Sequence, residues 1–259
     1  HRWACNGEIY LCLSSLEHNA PWLRKIWIVV DDQSPDLSRL SAALQAKIHL
    51  VDHTEIFANH GASLPTFNSL AIETFLWNIP GLSDRFIYFN DDVFLTAPCH
   101  QADFFTKRGP ILRGAWADFS ALQDDPVQMA DPAKFNHYMQ LNAAGLCGMP
   151  PERLFRAAHV AHPCSRRIMA QLHNQFNAAF RDNARYQMRD IRQFSPQSLH
   201  NHACILHKTA KLHPIKDHHH IYSGQGVGAA DGTIPTLLQN LRDTPDLKML
   251  CVNDLPQLE

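Results

Sequence analysis

The chain has 259 residues, 45% of them hydrophobic, enough to bury a full core in one domain. Its 23 basic and 25 acidic side chains leave a formal charge of −2, which argues against a broad polyanion-binding surface and so against nucleic acid as a partner. Seven cysteines stand singly with no CxxC pair, indicating neither a zinc ribbon nor a disulfide framework, and no apolar run reaches the roughly 18 residues of a membrane-spanning helix. A reducing, cytosolic setting is the expectation. No leader peptide is visible, and a chain that starts at His1 reads as an excised segment.

The first hundred residues alternate helix and strand signals. Glu8 to Leu16 places Ile9, Leu13 and Leu16 at helical spacing, and Ala20-Pro21 stops that helix. Ile26 to Val30 is a continuous apolar strand ending in the loop Asp31-Asp32-Gln33-Ser34-Pro35; a second strand runs from Lys47 to Asp52. Asn68 to Trp77 reads as a helix, closed by Ile79-Pro80-Gly81, and a third strand, Phe86 to Phe89, enters Asn90-Asp91-Asp92. This order implies βαβ units and a mainly parallel α/β sheet, with ligands at the carboxyl ends of its strands. From Ala97 the pattern turns to helix and loop. Helices are expected at 133–143, as one long amphipathic helix over 165–180, at 196–208 and near 236–241; His213-Pro214 and His218-His219-His220 read as loops, and a last strand covers 247–252.

Twice an apolar strand runs into Asn-Asp: Phe89-Asn90-Asp91-Asp92 and Cys251-Val252-Asn253-Asp254. Two such ends side by side would offer the oxygen ligands a hard divalent cation takes. Asx turns after strands explain each pair equally well. Two adjacent carboxylates with no Lys or Arg beside them repel unless a cation joins them, so spacing alone leaves a metal site an even proposition. The consecutive His218 to His220 point to different faces and make a poor zinc site, and the glycines from 224 to 228 lack the setting of a phosphate-binding loop.

An ordered set of motifs resembles the Stealth proteins, a family that includes bacterial capsular polysaccharide phosphotransferases and the catalytic subunit of the lysosomal-enzyme N-acetylglucosamine-1-phosphotransferase. The set comprises Glu8 to Ser15, Asn19 to Ile26, Val51-Asp52-His53 with Ile56-Phe57, Leu64 to Ser69, Ala71-Ile72-Glu73, Ile79 to Ser83 and Phe86 to Phe94. It continues from His159 through Phe180 to Arg189, and closes with Cys251 to Asp254. Two departures stand out. The family's first conserved region, a strand that helps form its nucleotide-sugar pocket, is missing before Arg2, and the usual His-x-Pro reads His159-Val160-Ala161, followed by His162-Pro163.

The resemblance implies a nucleotide-sugar-transferase-like (GT-A/Rossmann-like) sheet with helices on both faces and a helical insertion. It implies one truncated catalytic domain over 1–259, with an α/β core at 1–96 and 245–259 and a mainly helical or loop acceptor-side part at 97–244. The activity implied is transfer of a sugar 1-phosphate from a UDP-sugar to a saccharide acceptor with release of UMP, in capsule or exopolysaccharide synthesis. It would be cytoplasmic, at most peripheral to the inner membrane. The implied cofactor is Mg²⁺ or Mn²⁺, held by Asp91, Asp92, Asn253 and Asp254, with Asn90 an orienting group. His159 is implied as the general base, His162 as a second histidine, and Arg189 as a phosphate-facing cation with Arg192 beside it. Asn68, Ser69 and His53 are candidate donor contacts; capping of the helix that follows would equally explain the first two, and a buried structural histidine the third. Two rivals remain: a metal-dependent glycosyltransferase that attacks the anomeric carbon and releases UDP, and a non-catalytic nucleotide-sugar-binding relative.

Overall fold

The computed structural model describes residues 7–58, 60, 63–123, 125–214, 216–222, 233–244 and 246–253. Ten strands are present among them: β1 (Ile26–Val30), β2 (Ile48–Asp52), β3 (Arg85–Tyr88), β4 (Val93–Leu95), β5 (Ile111–Ala117), β6 (Leu154–Ala157), β7 (His162–Ser165), β8 (Lys211–His213), β9 (His218–Ile221) and β10 (Met249–Val252). Between them lie α1 (Glu8–Asn19), α2 (Ala42–Gln45), α3 (His53–Ile56), α4 (Ser69–Phe75), α5 (Gln101–Phe104), α6 (Pro126–Met129), α7 (Phe135–Leu146), α8 (Arg166–Gln175), α9 (Asn177–Ala184), α10 (Pro196–Leu206) and α11 (Thr233–Arg242). This is an α/β chain, and the first three strands fall where the apolar runs put them.

The ladders are mixed rather than mainly parallel. β1 pairs with β2, β5 with β8, and β9 with β10 in parallel; β3 pairs with β7, β4 with β10, and β5 with β6 antiparallel. Sequence pattern hid the antiparallel partner of β3 because β7 is His-Pro-Cys-Ser, a strand with a proline and no apolar run. Its burial comes from tertiary packing: Pro163, Cys164 and Ser165 are all buried. Likewise His218 to Ile221 forms β9, not a loop, and 97–244 supplies five strands besides its helices.

The long helix expected over 165–180 is two helices broken at Phe176, whose φ of −117° and ψ of 37° leave the helical region. The break lets Met169 and Leu172 of α8 and Phe180 of α9 enter one core with Phe75, Ile79 and Leu199. A second core packs Leu13 and Leu16 of α1 against Val93, Leu95, Met249 and Cys251, so α1 covers the β4–β10 ladder. A buried ion pair fixes β9 at that ladder's edge: Arg113 Nη2 donates to Asp217 Oδ2 at 2.6 Å, and its Nε donates to the same carboxylate. The Asp217 carbonyl in turn accepts from the amides of Lys248 and Met249. No helix among the described residues is long and apolar enough to cross a membrane.

Candidate active site

The Asn90-Asp91-Asp92 turn joins β3 to β4, closed by the Val93 amide donating to the Asn90 carbonyl at 3.2 Å. The Asp92 carbonyl accepts from the Val252 amide at 3.0 Å, which pins the end of β10 to the turn. Asn253 therefore emerges beside Asp92, and the two Asn-Asp strand ends share one place. Asp254 lies outside the described residues.

His159 arrives from a different direction, on the 158–161 connection between β6 and β7, held by the buried Val160 and Ala161. Its Nε2 sits 2.9 Å from Asn90 Nδ2 and 3.6 Å from Asp92 Oδ1. With the Asn90 amide as donor, Nε2 is the unprotonated nitrogen of a neutral ring. Burial pushes the His159 pKa below the ordinary histidine range, only partly opposed by the Asp92 charge. Burial also raises Asp92, while the neighbouring His159 pulls it down and Asp91 raises it further. Asp92 Oδ1 is buried without a hydrogen-bond partner. A buried, unpartnered carboxylate oxygen next to a second carboxylate fits a cation ligand.

β9 adds a histidine that sequence reading placed in a loop. His220 lies opposite Cys251 in the β9–β10 register, its Nε2 is 2.8 Å from Asn253 Oδ1, and its ring stands edge-on to His159 with centroids 5.1 Å apart. One ligand atom each from His159, His220 and Cys251 lies within 4.8 Å of the others. Burial and then the Asp92 charge push the Cys251 thiol far up, so it is present as a thiol. Of the three consecutive histidines only His220 joins this group: alternation turns His219 to the other face, and His218, on the same face, lies beside Asp217 with Nδ1 3.7 Å from its carboxylate.

Behind the turn runs a polar relay. Tyr88 hydrogen-bonds both Asn90 Oδ1 and Glu73 Oε1, the latter at 3.0 Å. Gln197 Nε2 donates to Glu73 Oε2 at 2.5 Å. Arg189 Nη2 donates to Ser69 Oγ at 2.8 Å, and Ser69 also bonds Glu73. Burial raises the Glu73 carboxyl above its ordinary range, opposed by Gln197, Tyr88 and the Arg189 charge. The relay joins Arg189 to His159 through Ser69, Glu73, Tyr88 and Asn90. Glu73 is legible as a lone acid in the helix Ser-Leu-Ala-Ile-Glu, one turn after Ser69. Tyr88 carries no such signal, since a tyrosine in a strand is ordinary.

The remaining sequence candidates sit elsewhere. Asn68 has no exposed surface: its Oδ1 caps α4 at the Leu70 amide and its Nδ2 donates to the Tyr186 carbonyl and Gln193 Oε1. That corrects its reading as a donor contact, because every polar atom is already committed. Arg192 is exposed and held by Asp190 in a two-pronged pair at 2.7 Å while its guanidinium covers Tyr186; only Arg189 of the two reaches the relay. His162 lies opposite Tyr88 in the β3–β7 register with the two rings stacked, and burial pushes its pKa down to about 3, too weak a base for proton abstraction at neutral pH. His53 is buried after β2 with Nδ1 3.8 Å from Asp31, at the other acidic strand end.

Residues 2–112 match conserved region 2 of the Stealth proteins. Over 108 residues the chain is 43% identical to the capsular polysaccharide phosphotransferase LcbA of Neisseria meningitidis, covering 42% of this chain and 28% of that protein. It is 30% identical to the exopolysaccharide phosphotransferase SCO2594 of Streptomyces coelicolor over 262 residues, covering 100% of this chain and 41% of the relative. The chain therefore spans less than half the length of these curated relatives. Among solved structures it is similar to the galactosyltransferase LgtC in complex with donor and acceptor sugar analogs, at 14% identity and a TM-score of 0.45, covering 95% of this chain and 84% of that one. Residues 2–112 of this α/β chain, the acidic turn included, therefore carry conserved region 2 of the Stealth proteins.

Proposed function

We propose that this chain carries the catalytic centre for transfer of a sugar 1-phosphate from a nucleotide sugar, UDP-linked, to a hydroxyl of a saccharide acceptor in capsule or exopolysaccharide synthesis. The observation that carries the reading is the convergence of His159 on Asn90 and Asp92, at the end of β3, beside Asn253. A relative named as an exopolysaccharide phosphotransferase matches over the whole chain, the turn included.

In this reading the acceptor hydroxyl attacks the β-phosphorus. A new O–P bond forms, the bridging P–O bond to the α-phosphate breaks, UMP leaves with that electron pair, and the acceptor proton passes to His159 Nε2. His159 suits this role because burial keeps it neutral at pH 7 and the Asn90 amide holds Nε2 unprotonated at the turn until the acceptor hydroxyl takes the amide's place. When the proton arrives, Asp92 offsets the new charge from 3.6 Å. Arg189 is positioned by Ser69 to meet phosphate oxygens and to offset charge on the transferring group.

Asp91, Asp92, Asn253 and Asp254 would hold Mg²⁺ or Mn²⁺, and that cation would supply neutralisation of the pyrophosphate and of the leaving group. The orphaned Asp92 Oδ1 supports a cation at this place. The imidazole of His220 beside it favours Mn²⁺ over Mg²⁺ as the better-tolerated ion.

The test is product analysis of the full-length protein with a panel of UDP-sugars, an acceptor glycan and Mg²⁺ or Mn²⁺. UMP is expected; UDP as the sole nucleotide product would replace this reading with glycosyl transfer.

A further inference from the structure

His159 on the 158–161 connection, His220 on β9 and Cys251 on β10 each bring one ligand atom to within 4.8 Å of the other two. No other trio of histidine, cysteine or acidic side chains among the described residues does so. Cys204 shows the contrast: its Sγ lies 3.5 Å from His200 Nε2, but that buried pair has no third ligand. The run His218 to His220 makes a poor ion site by itself, because consecutive side chains diverge. One of its members, met by partners from two other elements, does not share that defect.

The donor set differs in kind from the oxygens of Asp91, Asp92 and Asn253. Two imidazoles and a sulfur suit a borderline ion such as Zn²⁺, where carboxylate and amide oxygens suit Mg²⁺ or Mn²⁺. Zn–S bonds of about 2.3 Å and Zn–N bonds of about 2.0–2.1 Å place the ligand atoms of a tetrahedral site about 3.3–3.6 Å apart. Closing on Zn²⁺ therefore draws the trio in by about 1 Å at its widest separation. His159 and His220 are half-buried, which gives an ion a way in from solvent, and Cys251 is buried. Asn253 Oδ1 already holds the His220 ring through Nε2 at 2.8 Å, the kind of outer hydrogen bond that orients a histidine ligand. The fourth corner falls to water or to Asp92 Oδ1, which is 3.6 Å from His159 Nε2 and buried without a hydrogen-bond partner.

We propose that His159, His220 and Cys251 form a Zn²⁺ site, distinct from the oxygen-lined cation site beside it, and that filling it stops the transfer reaction. As the Zn–S bond forms, the Cys251 proton leaves to solvent. A neutral imidazole has one lone pair to give. Once the lone pair of His159 is held by Zn²⁺, the ring cannot take the proton of the acceptor hydroxyl. Zn²⁺ stands above Mn²⁺ in affinity for nitrogen and sulfur ligands, so it fills the trio even where Mn²⁺ is in excess. The inhibition rests on the proposed function; the ion site does not.

Co²⁺ in place of Zn²⁺ tests the site without turnover. The full-length protein with equimolar Co²⁺ should show a thiolate-to-cobalt charge-transfer band in the near ultraviolet and the intense visible bands of tetrahedral coordination. The charge-transfer band should vanish in Cys251→Ser, which keeps nearly the same shape in the core. In His220→Ala, which leaves the sulfur in place, Zn²⁺ affinity by calorimetry should fall by at least about tenfold. A parent spectrum without the band, or a band that survives Cys251→Ser, would overturn the site; so would undiminished affinity in His220→Ala. Initial rates then test the inhibition. Zn²⁺ at about a tenth of the Mn²⁺ concentration should suppress turnover, and a chelator followed by fresh Mn²⁺ should restore it. Cys251→Ser, measured against its own zinc-free rate, should need at least about tenfold more Zn²⁺. A cobalt spectrum as expected with turnover untouched by saturating Zn²⁺ would leave the ion site standing and overturn its inhibitory role.

Discussion

Asn90 Nδ2 and His159 Nε2 lie 2.9 Å apart although 69 residues separate them in sequence, and this contact sets both the tautomer and the aim of the histidine. The Asn90 carbonyl oxygen is held from behind by Tyr88. A side chain clamped at both ends orients its partner far better than a free one.

Asn90→Ala should therefore lower kcat by about 100-fold with a much smaller change in KM, because a misaimed base slows the transfer step more than donor binding. Steady-state kinetics with saturating acceptor measure it. His159→Ala should cost about 10²- to 10⁴-fold in kcat. Equal losses in kcat/KM and unchanged kcat for both variants would place the pair in substrate binding instead.

Glu73 should respond to substitution in a graded way. Glu73→Gln retains a hydrogen-bond partner for Tyr88 and removes the charge facing Arg189, so its stability should stay within about 1 kcal/mol of the parent. Glu73→Ala leaves Tyr88 with Asn90 alone and strips the Gln197 amide of its acceptor, and should cost about 1–3 kcal/mol. Urea denaturation separates the two.

The cation site makes a prediction independent of turnover. Mn²⁺ binding followed by electron paramagnetic resonance should weaken by at least about tenfold in Asp92→Ala, the range seen when a ligand or its support is lost. Undiminished Mn²⁺ binding in that variant would remove Asp92 from the metal site.

Acid should destabilise the fold through two histidines that take no part in the site. His200 Nε2 accepts from the Ser165 amide at 3.0 Å and His202 Nε2 accepts from the Phe155 amide at 3.1 Å, both rings fully buried. Burial holds each pKa down to about 4, against an ordinary value of 6.5. The unfolded chain binds these protons first as pH falls, so stability is complete above pH 6.5 and is lost progressively toward pH 4. Each histidine accounts for about 3 kcal/mol over that window, in the two-state limit. Thermal melts from pH 7.5 to 4.5 should fall steeply below 6.5, and His200→Gln should flatten the fall.

The sequence carried the acidic turn clearly, because a strand ending in Asn-Asp-Asp has one direction and one end. It carried β1 and β2 as well, whose β-branched runs allow little else. What it could not carry was pairing between distant segments. β7 and β9 are histidine-, proline- and cysteine-bearing stretches with no periodicity, and they become strands only because β3 and β10 offer them edges. His220 was hidden for that reason. Asn68 misled in the opposite sense: the same residue that could meet a ligand is consumed by its cap and by Tyr186 and Gln193.

The buried Arg113–Asp217 pair is the means by which β9 is held, and breaking it should reach the site. Asp217→Ala leaves a guanidinium uncompensated in the interior and should cost about 3–5 kcal/mol. Loss of stability without loss of Mn²⁺ affinity at a permissive temperature would show that His220 is positioned by other contacts.

The most direct measurement is ³¹P nuclear magnetic resonance of the full-length protein turning over a UDP-sugar with a glycan acceptor. The account predicts a growing phosphodiester resonance in step with UMP, both abolished in His159→Ala. Accumulation of UDP with no phosphodiester signal would contradict it.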